Sequence, residues 1–246
     1  MPFATNQNVR IYYEVAGEGP PLVLQHGSYG STADWHDYGY VEGLQAHYTL
    51  IMPDARGHAK SDKLYDPAQY RLEDYANDIA AVLDAVGVDR CHFLGLSLGG
   101  IIGYGVAQYF YPRLRSLIVL DIHPYPFPFD IVAAMQEGAR TLATWVPELP
   151  ATEAHKARLL ANDVQALLAA AHLPQVDAAT IGTITVPCLI VMAGAEHPEY
   201  QKRIARSAEE LAQAKLVTME GFMHLDMLFR GREVVPHVID FLANVN

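Results

Sequence analysis

Short β-rich runs alternate with helical periodicity along most of this chain, and that alternation limits the folds open to it. The runs are Val9–Val15, Leu22–Gln25, Tyr48–Met52, His92–Leu96, Leu117–Leu120, Val186–Met192 and Lys215–Met219. Between them, Leu72, Tyr75, Ile79, Leu83 and Val86 recur at helical spacing and Gly87 follows as a stop. Further helices are predicted from Leu98 to about Tyr111, over 199–212 and over 232–243. Strands alternating with helices imply βαβ units and a mostly parallel sheet. Unbroken apolar runs such as Leu117–Leu120 suit strands covered on both faces.

Residues 122–182 break the pattern. They hold 6 of the chain's 15 prolines, alanine-rich helical stretches and no convincing strand. They are expected to form a small helical cap inserted into a core of residues 1–121 and 183–246. Such a cap would sit over the carboxyl edge of the sheet, where open α/β folds bind ligands.

Lys plus Arg number 17 and Asp plus Glu 28, so the net charge is −11. That balance argues against nucleic acid as a partner, since a binder needs a basic face to displace counterions. No run of 18 apolar residues exists to span a membrane, and Met1–Arg10 has no signal-peptide pattern. Cys91 and Cys188, each beside an apolar run, are expected to be buried, reduced thiols in a cytoplasmic protein. Paired zinc ligands, a Gly-Lys-Ser/Thr phosphate loop and a G-x-G-x-x-G helix start are all missing from the sequence. No metal or cofactor is expected, and the partner is a small-molecule substrate.

The segment Gly95-Leu96-Ser97-Leu98-Gly99-Gly100 joins the His92–Leu96 run to an apolar helix. A G-x-S-x-G sequence in that setting makes a strained turn that lifts the serine hydroxyl above the sheet. A serine alcohol needs a base within reach, and an imidazole titrates in the right range. His224 follows the last strand run and a Gly, and precedes the last helix.

Four blocks together resemble the α/β-hydrolase superfamily, in its small esterase, lactonase and C–C hydrolase branch. They are Leu24-Gln25-His26-Gly27-Ser28, Asp54-Ala55-Arg56-Gly57-His58-Ala59-Lys60-Ser61-Asp62, the Ser97 turn, and Gly221-Phe222-Met223-His224. The likeness runs from about residue 8 to 243, with Ala59 where a Gly is usual. It implies an eight-stranded, mostly parallel sheet with helices on both faces. It implies Ser97 as nucleophile, His224 as base, and backbone N–H groups of Leu98 and Ser28 as the oxyanion hole, with Tyr29 as the alternative to Ser28. His26, Arg56 and His58 are expected to brace loops.

The acid is the irregular member. The superfamily usually places it in a G-x-x-D pattern after the seventh strand, where this chain reads Gly194-Ala195-Glu196-His197. Asp121, ending Ile118-Val119-Leu120-Asp121, is the expected substitute, as in certain dehalogenases and cofactor-free dioxygenases of this fold. Glu196 is the alternative. The Pro-separated Tyr125, Phe127 and Phe129 are candidates to line an acyl or aryl pocket. The resemblance implies a serine hydrolase of a small ester or lactone. The alternatives are a cofactor-free dioxygenase of hydroxylated N-heteroaromatics and a C–C bond hydrolase.

Overall fold

The computed structural model describes residues 2–172, 174 and 176–245. Eight strands form one sheet: β1 (Phe3–Asn6), β2 (Val9–Ala16), β3 (Pro21–Gln25), β4 (Thr49–Pro53), β5 (Cys91–Leu96), β6 (Leu114–Leu120), β7 (Cys188–Ala193) and β8 (Ala214–Met219). Their spatial order is β1-β2-β4-β3-β5-β6-β7-β8. The β1–β2 and β2–β4 pairs are antiparallel and the remaining pairs are parallel.

Successive residues of a strand face opposite sides, and here both sides are buried. Phe93, Leu117 and Val119 pack into one core, with the helices Leu72–Val86 and Leu98–Tyr109. Leu94, Ile118 and Leu120 point the other way, into a second core covered by the helices Tyr40–Leu44 and Gly231–Ala243. Leu117–Leu120 therefore has no solvent-facing position, which is why it reads as an unbroken apolar run.

Between β6 and β7 the described residues contain helices and no strand. The main ones are Ile131–Arg140, Glu153–Leu160 and Val164–Ala170. They carry a small core of their own, built from Ala139, Leu142, Val146, Leu159 and Leu167. Half-buried polar contacts tie this segment to the loop that follows β3. The Tyr29 hydroxyl donates to the Met135 carbonyl at 2.7 Å, and Asn162 Nδ2 donates to the Tyr29 carbonyl at 2.9 Å.

Cys91 and Cys188 are unpaired and buried, on strands that β6 separates. Burial pushes both thiols up to about 12. No helix among the described residues is long and apolar enough to cross a membrane.

Candidate active site

Ser97 stands at the turn from β5 into helix Leu98–Tyr109, with φ 53° and ψ −116°. This is costly backbone for a residue with a Cβ, on the order of 1–3 kcal/mol. The flanking glycines make the turn sterically feasible. A Cβ on Gly95 would lie 2.1 Å from the Gly99 carbonyl oxygen, and one on Gly99 would lie 2.0 Å from that of Gln25. The turn is also held from below, since the Ser97 N–H donates to the Leu120 carbonyl at 3.1 Å.

One residue past β6, Asp121 also has a positive φ, 49°. Its N–H donates to the Val191 carbonyl at 2.8 Å. The side chain is fully buried, and Oδ1 accepts the Ala193 N–H at 2.8 Å. Its other oxygen, Oδ2, lies 2.8 Å from Nδ1 of His224. An ionised carboxylate can only accept, so Nδ1 carries the proton. The neutral ring then keeps its lone pair on Nε2. Tyr200 supports the pair from helix Pro198–Glu210. Its hydroxyl donates to the Asp121 carbonyl at 2.9 Å, and its ring meets that of His224 edge-on with centroids 6.5 Å apart.

Glu196 does not reach the ring; its Oε1 accepts the backbone N–H of His224 at 2.7 Å. His197, where the superfamily usually has its acid, caps the following helix, with Nδ1 accepting the Glu199 N–H at 3.3 Å. Of the two carboxylates open to the sequence, Asp121 is the one hydrogen-bonded to the imidazole.

Two chambers meet at Ser97. Ser28, Ser97, Met135 and His224 line both. The inner one, about 180 Å³, runs beneath the helical segment among Leu96, Trp145, Leu149 and Leu159. The outer one, about 370 Å³, is lined by Leu98, Ile101, Phe127, Phe129 and Tyr200, among others. Among the described residues, the Ser28 and Leu98 N–H groups donate to no protein acceptor. Leu98 opens a helix, where an N–H has no intrahelical partner.

Phe127 and Phe129 thus reach the outer chamber, but Tyr125 does not. Its hydroxyl donates to Glu210 at 2.6 Å and Arg206 stacks on its ring at 4.5 Å, so it fastens the chain to helix Pro198–Glu210. The expectation for Tyr125 fails because a phenol has a polar tip to satisfy, and a charged pair nearby satisfies it. Asp34 and His155, both lining the inner chamber, were not foreseen. They lie 121 positions apart, and no local motif marks either.

The loop residues brace. His26 Nε2 accepts the Ala55 N–H at 2.9 Å, and its Nδ1 lies 2.7 Å from the Gly27 carbonyl. Arg56 grips both oxygens of buried Asp78 at 2.7 Å. Burial beside His26 holds the His58 imidazole down at about 3.

Comparison with known proteins agrees with this architecture. A protein of Azorhizobium caulinodans assigned as the carbamate hydrolase RutD is 35% identical over 121 residues, which is 49% of this chain and 44% of that protein. The pimeloyl-[acyl-carrier protein] methyl ester esterase of Aeromonas salmonicida is 40% identical over 108 residues, 44% of this chain and 40% of that enzyme. The matches span less than half the length of these curated relatives. The enol-lactonase of Burkholderia xenovorans superposes with a TM-score of 0.85 at 20% identity, covering 99% of this chain and 100% of that one. The family model for the alpha/beta hydrolase fold matches residues 20–217, and the chain belongs to that family.

Proposed function

We propose that this protein is a serine hydrolase that cleaves a small carboxylic ester or lactone through an acyl-enzyme on Ser97. The observation that carries the reading is the 2.8 Å bond from Asp121 to Nδ1 of His224, on a ring that shares both chambers with Ser97. With Nδ1–H held by Asp121, Nε2 takes the Ser97 proton as Oγ attacks the substrate carbonyl. The Ser28 and Leu98 N–H groups receive the developing oxyanion, where preorganised donors act most strongly. The tetrahedral adduct collapses, the C–O bond to the leaving group breaks, and Nε2 returns the proton to the departing oxygen. Water repeats the sequence: it loses a proton to Nε2, attacks the acyl carbon, and frees the acid and the Ser97 hydroxyl. Asp121 stabilises the imidazolium of each half-reaction without taking its proton.

The family membership and the ester-cleaving relative support this chemistry. The helices of residues 122–182 act as a cap that sets substrate range, since Met135, Trp145 and Leu149 wall the inner chamber. The protein works in the cytoplasm, a reading supported by its two unpaired thiols.

An assay of p-nitrophenyl acetate hydrolysis beside oxygen uptake on 3-hydroxy-4-quinolones tests the proposal. Ester turnover without oxygen uptake is expected. Oxygen uptake without ester turnover would replace the hydrolase by the dioxygenase.

A further inference from the structure

The inner chamber is apolar along most of its wall, yet Asp34 and His155 both line it, and their side chains are 2% and 3% exposed. Asp34 comes from helix Thr32–Asp37 of the sheet domain and His155 from helix Glu153–Leu160 of the cap. The cluster is not a vacant metal site, because a guanidinium occupies it. Arg158 Nη2 lies 3.3 Å from Asp34 Oδ1 and also pairs with Asp37.

The proton on His155 can be located. Burial holds its imidazole below the ordinary range, so the ring is neutral and has one N–H. Tyr38 Oη lies 2.6 Å from Nδ1. Burial pushes that phenol up to about 12, so it keeps its proton. Among the described residues the Tyr38 hydroxyl has no other acceptor, so it donates to Nδ1. The ring proton therefore sits on Nε2. The nearest carboxylate oxygen to that N–H is Asp34 Oδ1, at 3.8 Å, which is too far for a hydrogen bond.

A buried donor and a buried acceptor thus stand 3.8 Å apart on the wall of an apolar chamber. One oxygen fits between them at about 2.8 Å from each, accepting from Nε2–H and donating to Oδ1. A hydroxyl has both functions. A methyl has neither and would leave the His155 N–H without a partner, while Asp34 Oδ1 would keep only its bonds from Arg158 Nη2 and Ser31 Oγ, each at 3.3 Å. A carboxylate would face Asp34, and an ammonium would face the Nε2–H and Arg158.

We propose that His155 and Asp34 form the polar end of the acyl chamber and select substrates whose acyl chain ends in a hydroxyl group. This deepens the serine hydrolase reading and rests on it. The acyl chain is assigned to the inner chamber because that one is the narrower, about 180 against 370 Å³, which leaves the wider outer chamber, lined by the exposed Phe129 and His197, to the leaving group. The structure also explains why such a chain would be accepted in an otherwise oily space, since its methylenes meet Leu96, Leu149, Leu159 and Phe229.

The test uses methyl esters of unbranched ω-hydroxy acids of four to eight carbons, against methyl esters of alkyl acids with the same number of heavy atoms. The expected result is a kcat/KM at least about tenfold higher for the hydroxy ester at the best-fitting length, the scale of a hydrogen bond the site is built to make. His155→Leu should bring that ratio to near unity. His155→Gln keeps an N–H donor and should retain most of the preference. Tyr38→Phe releases the tautomer and should lower the ratio severalfold without deleting either group. Because each readout is a ratio within one preparation, partial loss of folded protein does not move it. Alkyl esters cleaved as well as their hydroxy partners by the unaltered protein would overturn the proposal while leaving the hydrolase intact. Cleavage of no ester at any length, with no fluorophosphonate adduct on Ser97, would overturn both.

Discussion

At the scale of single residues, two carboxylates touch His224 and play unequal parts. Asp121 bonds to the ring and Glu196 to the backbone N–H of the same residue. Only the first can fix the tautomer and stabilise the imidazolium. Asp121→Asn should therefore lower kcat by about 10²–10⁴-fold, as in triads where the acid alone is changed. Glu196→Gln keeps an oxygen to accept the backbone N–H and should cost less than about tenfold. Ser97→Ala and His224→Ala should each abolish ester turnover in a protein that still melts cooperatively, since neither side chain belongs to either core. Comparing kcat for the four variants on one ester checks the ranking, and a larger loss from Glu196→Gln would exchange the two roles. The Ser97 and His224 positions were legible in the sequence because each follows a strand-like run and a glycine. Asp121 is also the acid expected from its place at a strand end, with Glu196 open as the alternative because the choice depends on which strand end faces the ring. Strand order in space settles that, with β6 between β5 and β7.

Elements place these residues, and their sequence signals differ in strength. Helix Leu72–Val86 was readable from its apolar spacing and its terminal glycine, because one face is buried and the other wet. β1 was not anticipated: it is four residues long, lies at the sheet edge, and alternates burial too briefly to leave a pattern. Helices Thr32–Asp37 and Tyr40–Leu44 were also missed, each being shorter than two turns. The turn at Ser97 depends on close approach of backbone to backbone. In Gly99→Ala the new Cβ would meet the Gln25 carbonyl oxygen at 2.0 Å, and main chain cannot yield as a side chain does. We expect a stability loss of about 1–3 kcal/mol or more from denaturant midpoints, with esterase activity lost alongside. An unaffected midpoint would mean the turn is looser than described. For the outer chamber, Phe127→Ala or Phe129→Ala should shift the preference between short and aromatic ester groups by about 1–3 kcal/mol in relative kcat/KM. Tyr125→Phe should leave that preference where it was, because its hydroxyl is spent on Glu210.

Across the whole molecule, buried histidines set the acid limit. Burial lowers His58 to about 3, and His92 and His123 to about 4, from an ordinary 6.5. A lowered histidine binds its proton more readily in the unfolded chain. Stability is therefore complete above about pH 6.5 and falls as pH drops toward 4, by about 1.4 kcal/mol per pH unit for a fully buried ring such as His58. Denaturant midpoints taken from pH 7 to 4.5 should fall steadily, and a flat profile would place these rings in water. Asp121, bonded to His224, and Ser97, which lines the same two chambers as that ring, act together in the proposed reaction, and the rate of covalent labelling by a fluorophosphonate reads their joint action. Intact-mass and peptide analysis should find one adduct, on Ser97, formed about 10²–10⁴-fold more slowly in Asp121→Asn and within about tenfold of the unaltered rate in Glu196→Gln. An adduct on another residue, or labelling of Asp121→Asn at the unaltered rate, would contradict the account.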